Sequence, residues 1–387
     1  MLWVRQSSRH CSIKMKNTLN AIALTMLRPA LSPLQLMQLY REVGDVTALV
    51  DNHDRLEEVL PEPSGKLKEV FKSMPDALER AQKELDFCEM HQIQPLIPTD
   101  AAYPQRLKNC EDAPLVVYYR GNADLNCARV INIVGTRKCT YYGQEIIKEF
   151  VRDMKSASPD TLIVSGLAYG VDICAHRNAL KNGMKTVGVL AHGLDMIYPS
   201  LHRETAKGML SCGGLLTEYP QCTRPDKRNF VQRNRIVAGM SDATVLVESA
   251  SHGGGLITCG ISTGYGRDVY AFPGPVTSPA SVGCNNLIRD KGAHLITNAE
   301  DFIKAMGWES DAILQQAKKE GIQRSMFYDL NPTEKLVFAA LEEHDEQCAN
   351  DLSIKLGMTL PEVNSILFAL EMNGIVRSMA GGTYSLV

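Results

Sequence analysis

From Val130 to about residue 306 the chain alternates short, β-branched apolar runs with segments of helical spacing, joined by glycine-containing loops. Strands alternating with helices of this length imply a parallel sheet covered on both faces. The first unit, Val130–Gly143, reads VINIVGTRKCTYYG. Val130–Val134 is uncharged, as a strand buried on both faces requires. Gly135-Thr136-Arg137 follows as a turn. Ile146, Ile147, Phe150, Val151 and Met154 then recur at helical spacing across Tyr141–Met154. Anions bind where such a helix begins, because free N–H groups and the helix dipole point there. Arg137 sits in that turn, either to grip a phosphate with two parallel hydrogen bonds or to cap the loop and pair with a carboxylate.

The same pattern predicts strands at Thr161–Val164, Lys185–Leu190, Gly214–Glu218, Thr244–Glu248 and Asp268–Phe272. It predicts helices at Val171–Asn182, His202–Leu210, Val231–Met240 and Leu256–Tyr265. The fold class is therefore α/β, an extended Rossmann-like parallel sheet over 64–310. Gln94–Pro98 and Leu115–Tyr119 are β-prone and read as a lead-in covering one sheet edge, after a helix over Ser64–His91 broken near Pro75.

Two smaller units flank the sheet. Residues 18–63 read as a small helical domain of helix-hairpin-helix shape, with Ser32-Pro33 as cap and first-turn proline and Gly44 as a stop. Residues 1–17 read as a disordered extension, with an upstream start codon as the other reading. The apolar Leu19–Leu27 lacks a clean cleavage site and is interrupted by Arg28-Pro29, so it reads as a helix rather than a signal peptide. Residues 311–330 are polar and glutamine-rich, a linker. Residues 331–387 show three helical segments, Asn331–Glu343, Cys348–Leu356 and Leu360–Met372, and a hairpin around Gly381-Gly382, the pattern of a winged helix.

The formal charge of −3 across 387 residues means that nucleic-acid binding needs a local basic patch. Eleven cysteines without a C-x-x-C pair fit reduced thiols in a cytoplasmic protein and argue against a disulfide framework or zinc site. No apolar run approaches a membrane span.

The patch is Arg224–Arg235, RPDKRNFVQRNR, with five cations, one acid and Phe230 among them. Cations following a backbone while a base stacks on the ring suit single-stranded nucleic acid. The alternative is a solvated loop with Phe230 tucked into the core. Gly253-Gly254-Gly255 with Thr258 at a helix start is a second candidate anion cradle, or a flexible loop. Neither loop matches a P-loop or a dinucleotide fingerprint, so no NTPase and no cofactor is expected. Asp172, Asp195, Glu218 and Glu248 lie near the rim without metal-ligand spacing; helix capping and pairing with Arg233 or Arg235 are their expected roles. His176, His192, His202 and His252 are read as structural or surface histidines. The winged helix carries three basic and eight acidic residues, a net of −5, and its third helix holds no base. Such a domain is repelled by duplex DNA and fits a protein–protein role or packing.

Many separate motifs then fall in one order. They are Val134-Gly135-Thr136-Arg137, Ser165–Asp172 with Ala175-His176-Arg177, Gly193-Leu194-Asp195 with Tyr198-Pro199, and Glu218-Tyr219-Pro220. Phe230, Arg233-Asn234-Arg235-Ile236, Leu256-Ile257-Thr258, Phe272-Pro273-Gly274 and Gly283-Cys284-Asn285-Asn286 complete the series. From about Tyr103 to Asp301 this closely resembles the DNA-processing protein A (DprA, or Smf) family. The resemblance implies a single-stranded DNA-binding, dimerising protein that protects incoming strands in natural transformation and helps load the RecA recombinase. It implies that Arg137 holds phosphate, Lys227 adds charge, Phe230 stacks on a base, and Ser165 and Gly166 line the same pocket. The expected DNA-binding set is Gly135, Thr136, Arg137, Ser165, Gly166, Lys227, Phe230, Arg233, Asn234, Arg235, Gly253, Gly254, Gly255 and Thr258. One departure is that the family often has Ser-Gly-Ser where this chain has Gly253-Gly254-Gly255, so two hydroxyl donors are missing.

Two further function classes remain. One is a nucleotide or nucleoside-monophosphate hydrolase using Arg137, Glu248 and the glycine loop. The other is a sheet that only scaffolds its flanking domains.

Overall fold

In the computed structural model, which describes residues 2–308, 330–343, 347–379 and 383–386, nine strands form one sheet. They are β1 (Gln94–Leu96), β2 (Val117–Gly121), β3 (Val130–Val134), β4 (Leu162–Ser165), β5 (Thr186–Val189), β6 (Gly213–Thr217), β7 (Ala243–Leu246), β8 (Asp268–Ala271) and β9 (His294–Leu295). Their order is β1-β2-β6-β5-β4-β3-β7-β8-β9. From β6 to β9 every pairing is parallel, with Val130 opposite Leu162 and Ile131 opposite Ala243. The lead-in supplies the exception: β2 pairs antiparallel with β6, and β1 antiparallel with β2. β3 to β7 are buried at every position, which explains why their sequences show no polar alternation.

The helices of this unit are α1 (Leu2–Thr25), α2 (Pro33–Val43), α3 (Val46–Asp51), α4 (Gly65–Phe71), α5 (Met74–Met90) and α6 (Gln105–Lys108). They continue with α7 (Tyr141–Ala157), α8 (Val171–Lys181), α9 (Arg203–Ser211), α10 (Lys227–Gly239), α11 (Gly254–Gly264), α12 (Val282–Arg289) and α13 (Ala299–Ala305). Helical backbone starts at Leu2, inside the stretch expected to be a disordered extension, because α1 runs unbroken into the buried Ala21–Leu24 segment. The predicted Ser64–His91 helix is two helices, with Pro75 in the first turn of the second, where its missing N–H leaves no gap. Gly44 closes α2 in the left-handed region at φ 73°.

One hydrophobic cluster runs from Ala21 to Ala293, so the N-terminal helices share the core of the sheet. Polar ties reinforce it. The Arg80 guanidinium donates to the Met26 carbonyl at 2.6 Å, and the buried Glu84 carboxylate accepts from the Gln221 N–H at 3.0 Å. Two compact units are present, one ending at Phe302 and one beginning at Ile303.

In the second unit α14 (Pro332–Glu343), α15 (Ala349–Leu356) and α16 (Leu360–Met372) pack with β10 (Gln347–Cys348), β11 (Val376–Met379) and β12 (Thr383–Leu386). The sheet order is β10-β12-β11, and Val337, Phe338, Leu352, Val363 and Leu367 form the core. This is a winged helix. Cys348, expected inside the second helix, instead ends β10 and caps α15, its thiol accepting from the Asp351 N–H. The expected linker apart from Leu330, and the Gly381-Gly382 turn, lie outside the described residues.

Candidate nucleic-acid interface

The strand order reverses at β3. From there β4, β5 and β6 follow to one side, and β7, β8 and β9 to the other. The loops after β3 and β7 therefore leave the sheet in opposite directions and open a crevice between them, the place where open α/β sheets take ligands. A cleft of about 750 Å³ lies there.

Three backbone segments build its floor. Thr136 N–H donates to the Glu248 carbonyl at 2.7 Å, and Val171 N–H to the Thr136 carbonyl at 3.1 Å. These bonds clamp the Gly135–Arg137 turn between the β7 exit and the α8 start. The clamp depends on small residues. A Cβ on Gly135 would lie 2.7 Å from the Glu248 carbonyl oxygen and from Val171 Cγ2. Gly170, at φ 78°, passes so close to the Thr136 carbonyl that no side chain fits. α11 begins at Gly254 with no side chain capping it, so its first N–H groups are left to solvent or ligand at the cleft.

The side chains come from α10 and the β3 loop. Arg137 is exposed, and its guanidinium carbon lies 5.3 Å from the Phe230 ring centroid. Phe230 is half-buried and lies one turn along α10 from the exposed Lys227. The Tyr198 ring approaches Phe230 at 5.9 Å and an angle of 46°. Arg137, Arg224 and Lys227 give the cleft a positive lining. Of its two carboxylates, Asp226 caps α10 by accepting from the Arg228 N–H at 2.8 Å. Asp172 accepts from the Gly166 and Ala168 N–H groups at 3.2 and 3.3 Å. Burial pushes its pKa up, and the Arg233 charge opposes that shift.

Of the fourteen expected residues, Gly135, Thr136, Arg137, Gly166, Lys227, Phe230, Arg233, Asn234, Gly253, Gly254, Gly255 and Thr258 line the cleft. Ser165 and Arg235 do not. Ser165 is the last residue of β4, and its hydroxyl is turned inward, donating to the Ile133 carbonyl at 2.6 Å. Arg235 points away from the cleft into an ion pair with Glu218 and a 2.6 Å bond to the Asp112 carbonyl. Five residues separate it from Phe230, which turns it about 140° round the helix. Arg233 reaches the cleft wall but is buried as a brace, donating to the Gly166 carbonyl at 2.7 Å and to the Val189 carbonyl.

Glu248 is likewise engaged, both carboxylate oxygens accepting from Thr140, the N-cap of α7, at 2.8 and 2.6 Å. Its strand ends at Leu246, two residues earlier than predicted. Thus Glu218 pairs with Arg235, a role expected for a rim carboxylate, while Asp172 is held by backbone N–H groups within the field of the Arg233 charge. His176, His192 and His202 are buried, and burial lowers the pKa of each.

Val231, His252 and Ile257, outside the expected DNA-binding set, also line the cleft. His252 is the exposed histidine of the four and Ile257 belongs to the Leu256-Ile257-Thr258 motif; the packing of α10 against α11 brings them to Val231. Among the described residues no group of three or more His, Cys, Asp or Glu is placed to hold a metal ion, and no helix is long and apolar enough to cross a membrane.

The sequence model for DNA recombination-mediator protein A matches residues 94–307, and that for the DprA winged helix domain matches residues 328–382. A putative DNA processing protein DprA of Mycobacterium tuberculosis (strain ATCC 25618 / H37Rv) is 35% identical over 278 residues, 71% of this chain and 70% of that protein. Protein Smf of Escherichia coli (strain K12) is 32% identical over 297 residues, covering 74% of this chain and 76% of its own. The X-ray structure of DNA processing protein A from Streptococcus pneumoniae superposes with a TM-score of 0.55 at 29% identity, over 71% of this chain and 98% of that one. The Helicobacter pylori protein, whose structure is described for its single-stranded DNA binding mode, gives 0.50 at 28% identity, over 56% of this chain and 95% of its own. With its α/β sheet, its winged helix and these matches, the chain belongs to the DNA-processing protein A family.

Proposed function

We propose that this chain binds single-stranded DNA in the cleft between the β3 and β7 loops. The carrying observation is that Arg137, Lys227 and Phe230, from two segments far apart in sequence, share one cleft with the uncapped start of α11. In this reading Arg137 and the α11 N–H groups hold phosphate, Lys227 neutralises its neighbour, and a base stacks on Phe230. Readout of sequence is weak, because charge and stacking treat all bases alike. Gly166 and Thr136 shape the wall, and Arg233 and Asn234 support the α10 side. The Helicobacter pylori relative's single-stranded DNA binding supports this assignment.

The same reading makes the protein a non-enzymatic, cytoplasmic homodimer that protects incoming single strands in natural transformation and loads RecA onto them. The hydrolase reading needs a free acid at the cleft, whereas Glu248 is held by Thr140 and Asp172 by backbone N–H groups.

Anisotropy of a labelled oligo-dT against salt, beside a duplex and a mononucleotide, tests the binding. The expected result is salt-sensitive preference for the single strand, weakened by Arg137→Ala and by Lys227→Ala. Equal binding of all three ligands, or mononucleotide turnover, would overturn it. Light scattering should give a mass twice that of one chain, and the protein should shorten the lag of RecA assembly on the bound strand.

A further inference from the structure

Two tyrosines beside the cleft expose aromatic surface that the fold does not need. Tyr198 is 48% exposed, and its ring lies tilted beside Phe230 rather than stacked on it, so a face stays open. Tyr169, in the β4 exit loop, is 44% exposed and meets His202 edge-on at 5.0 Å. Both rings are held on rigid backbone. The Tyr198 N–H donates to His192 Nε2 at 3.2 Å, and the His192 Nδ1–H is bonded to the Gly193 carbonyl at 2.8 Å. His202 is anchored at 2.8 Å to the Leu167 carbonyl, within Tyr169's own loop, and the His202 N–H donates to the Pro199 carbonyl at 3.0 Å. The segment Tyr198–His202 thus runs from the side of Phe230 to the side of Tyr169.

Tyr103, by contrast, is fully buried, and its hydroxyl donates to the Pro114 carbonyl at 2.6 Å. Tyr198 and Tyr169 instead present large apolar faces to solvent next to a positively lined cleft. Leu201, 75% exposed, belongs to that segment, and the exposed Arg203 follows His202. Successive aromatic faces with flanking cations are the surface that a flexible, base-bearing polyanion recognises.

We propose that the bound single strand leaves the cleft over Tyr198 and continues to Tyr169, so that Phe230, Tyr198 and Tyr169 form a continuous stacking path. This rests on the single-strand reading of the cleft and extends it from a pocket to a track. Phe230 with Arg137 anchors the strand, and each tyrosine adds one sequence-tolerant stacking partner. The site accordingly takes a run of single strand, and a mononucleotide fills only its Phe230 end.

The test measures the affinity of the full chain for a short oligo-dT that spans the cleft alone and for a long one. Tyr198→Ala should weaken the long oligonucleotide about tenfold, in the range that alanine substitution at a base-stacking ring produces. Tyr198→Phe should keep the affinity, since the ring and not the hydroxyl acts. Tyr169→Ala should weaken the long oligonucleotide and leave the short one unchanged. Thermal melts of the variants should match the parent, because both side chains are exposed. If Tyr198→Ala and Tyr169→Ala both bind within twofold of the parent while Phe230→Ala weakens binding, the track is wrong and the cleft reading stands. If the parent itself shows no preference for the single strand, the cleft reading falls and the track with it.

Discussion

Two arginines flank the Phe230 ring, Arg137 at 5.3 Å and Arg233 at 6.0 Å, and only Arg137 faces solvent. Their burial separates binding from stability. Arg137→Ala removes an exposed cation, so folding stability should change by no more than about 0.5 kcal/mol while oligo-dT binding is weakened. Arg233→Ala leaves the Gly166 and Val189 carbonyls without their donor and Asp172 without its counter-charge. It should cost about 3–5 kcal/mol in urea unfolding, because a buried charge is left uncompensated. His176 offers a second check. Thr186 donates its hydroxyl to the Ile163 carbonyl, so the ring must donate Nδ1–H to Thr186 at 2.7 Å, and Nε2 stays bare in the core. Burial lowers its pKa from 6.5 to about 3. The unfolded chain therefore binds the proton more tightly. His176's contribution is complete above about pH 6.5 and is lost as the pH falls toward 3. Stability curves of the parent and His176→Gln should converge over that window; parallel curves would refute the assignment.

At the scale of elements, the start of α11 decides how closely a phosphate can approach, and its three glycines are not equivalent. A Cβ on Gly253 would meet only Ser249 Oγ at 3.6 Å, and one on Gly254 only Asn234 Nδ2 at 3.8 Å. A Cβ on Gly255 would sit 2.8 Å from Leu246 Cδ1 and 3.0 Å from the Gly135 Cα. Gly255 is where helix and turn touch. Gly253→Ser should fold as well as the parent, gain a few tenths of a kcal/mol from an N-cap hydroxyl, and retain binding. Gly255→Ser should lose about 1–3 kcal/mol by overpacking and disturb the Arg137 turn. Thermal melting with oligo-dT titration separates the two. The departure of this loop from Ser-Gly-Ser thus bears on two positions with different physical demands. The elements themselves were legible. β3 matches its predicted bounds, and α8 and α9 fall within a residue of theirs, because their apolar spacing is local. α10 starts at Lys227 rather than Val231, since Asp226 caps it and the polar first turn hides the helix from a hydrophobicity reading.

Over the whole molecule, the net charge of −3 conceals a division of labour. The cleft gathers Arg137, Arg224 and Lys227, while the winged unit is acidic and has its own core. Removing residues 331–387 should leave oligo-dT affinity and its salt dependence unchanged, as read by anisotropy across a salt series. Lys227→Ala should lower the slope of log affinity against log salt by about 0.7, the share of one neutralised single-strand phosphate. The sequence by itself determined the alternation of strands and helices, the three-helix winged pattern, and the residue types of an anion-binding rim. Each depends on neighbours within a few positions. Only the tertiary structure decided the order of the strands, and with it the reversal at β3 that turns separate loops into one cleft. It also decided that Arg137 faces out, that Arg233 braces the wall, and that Arg235 and Ser165 turn inward. A side chain's direction depends on which distant segment packs against its element, and local spacing carries no record of that partner.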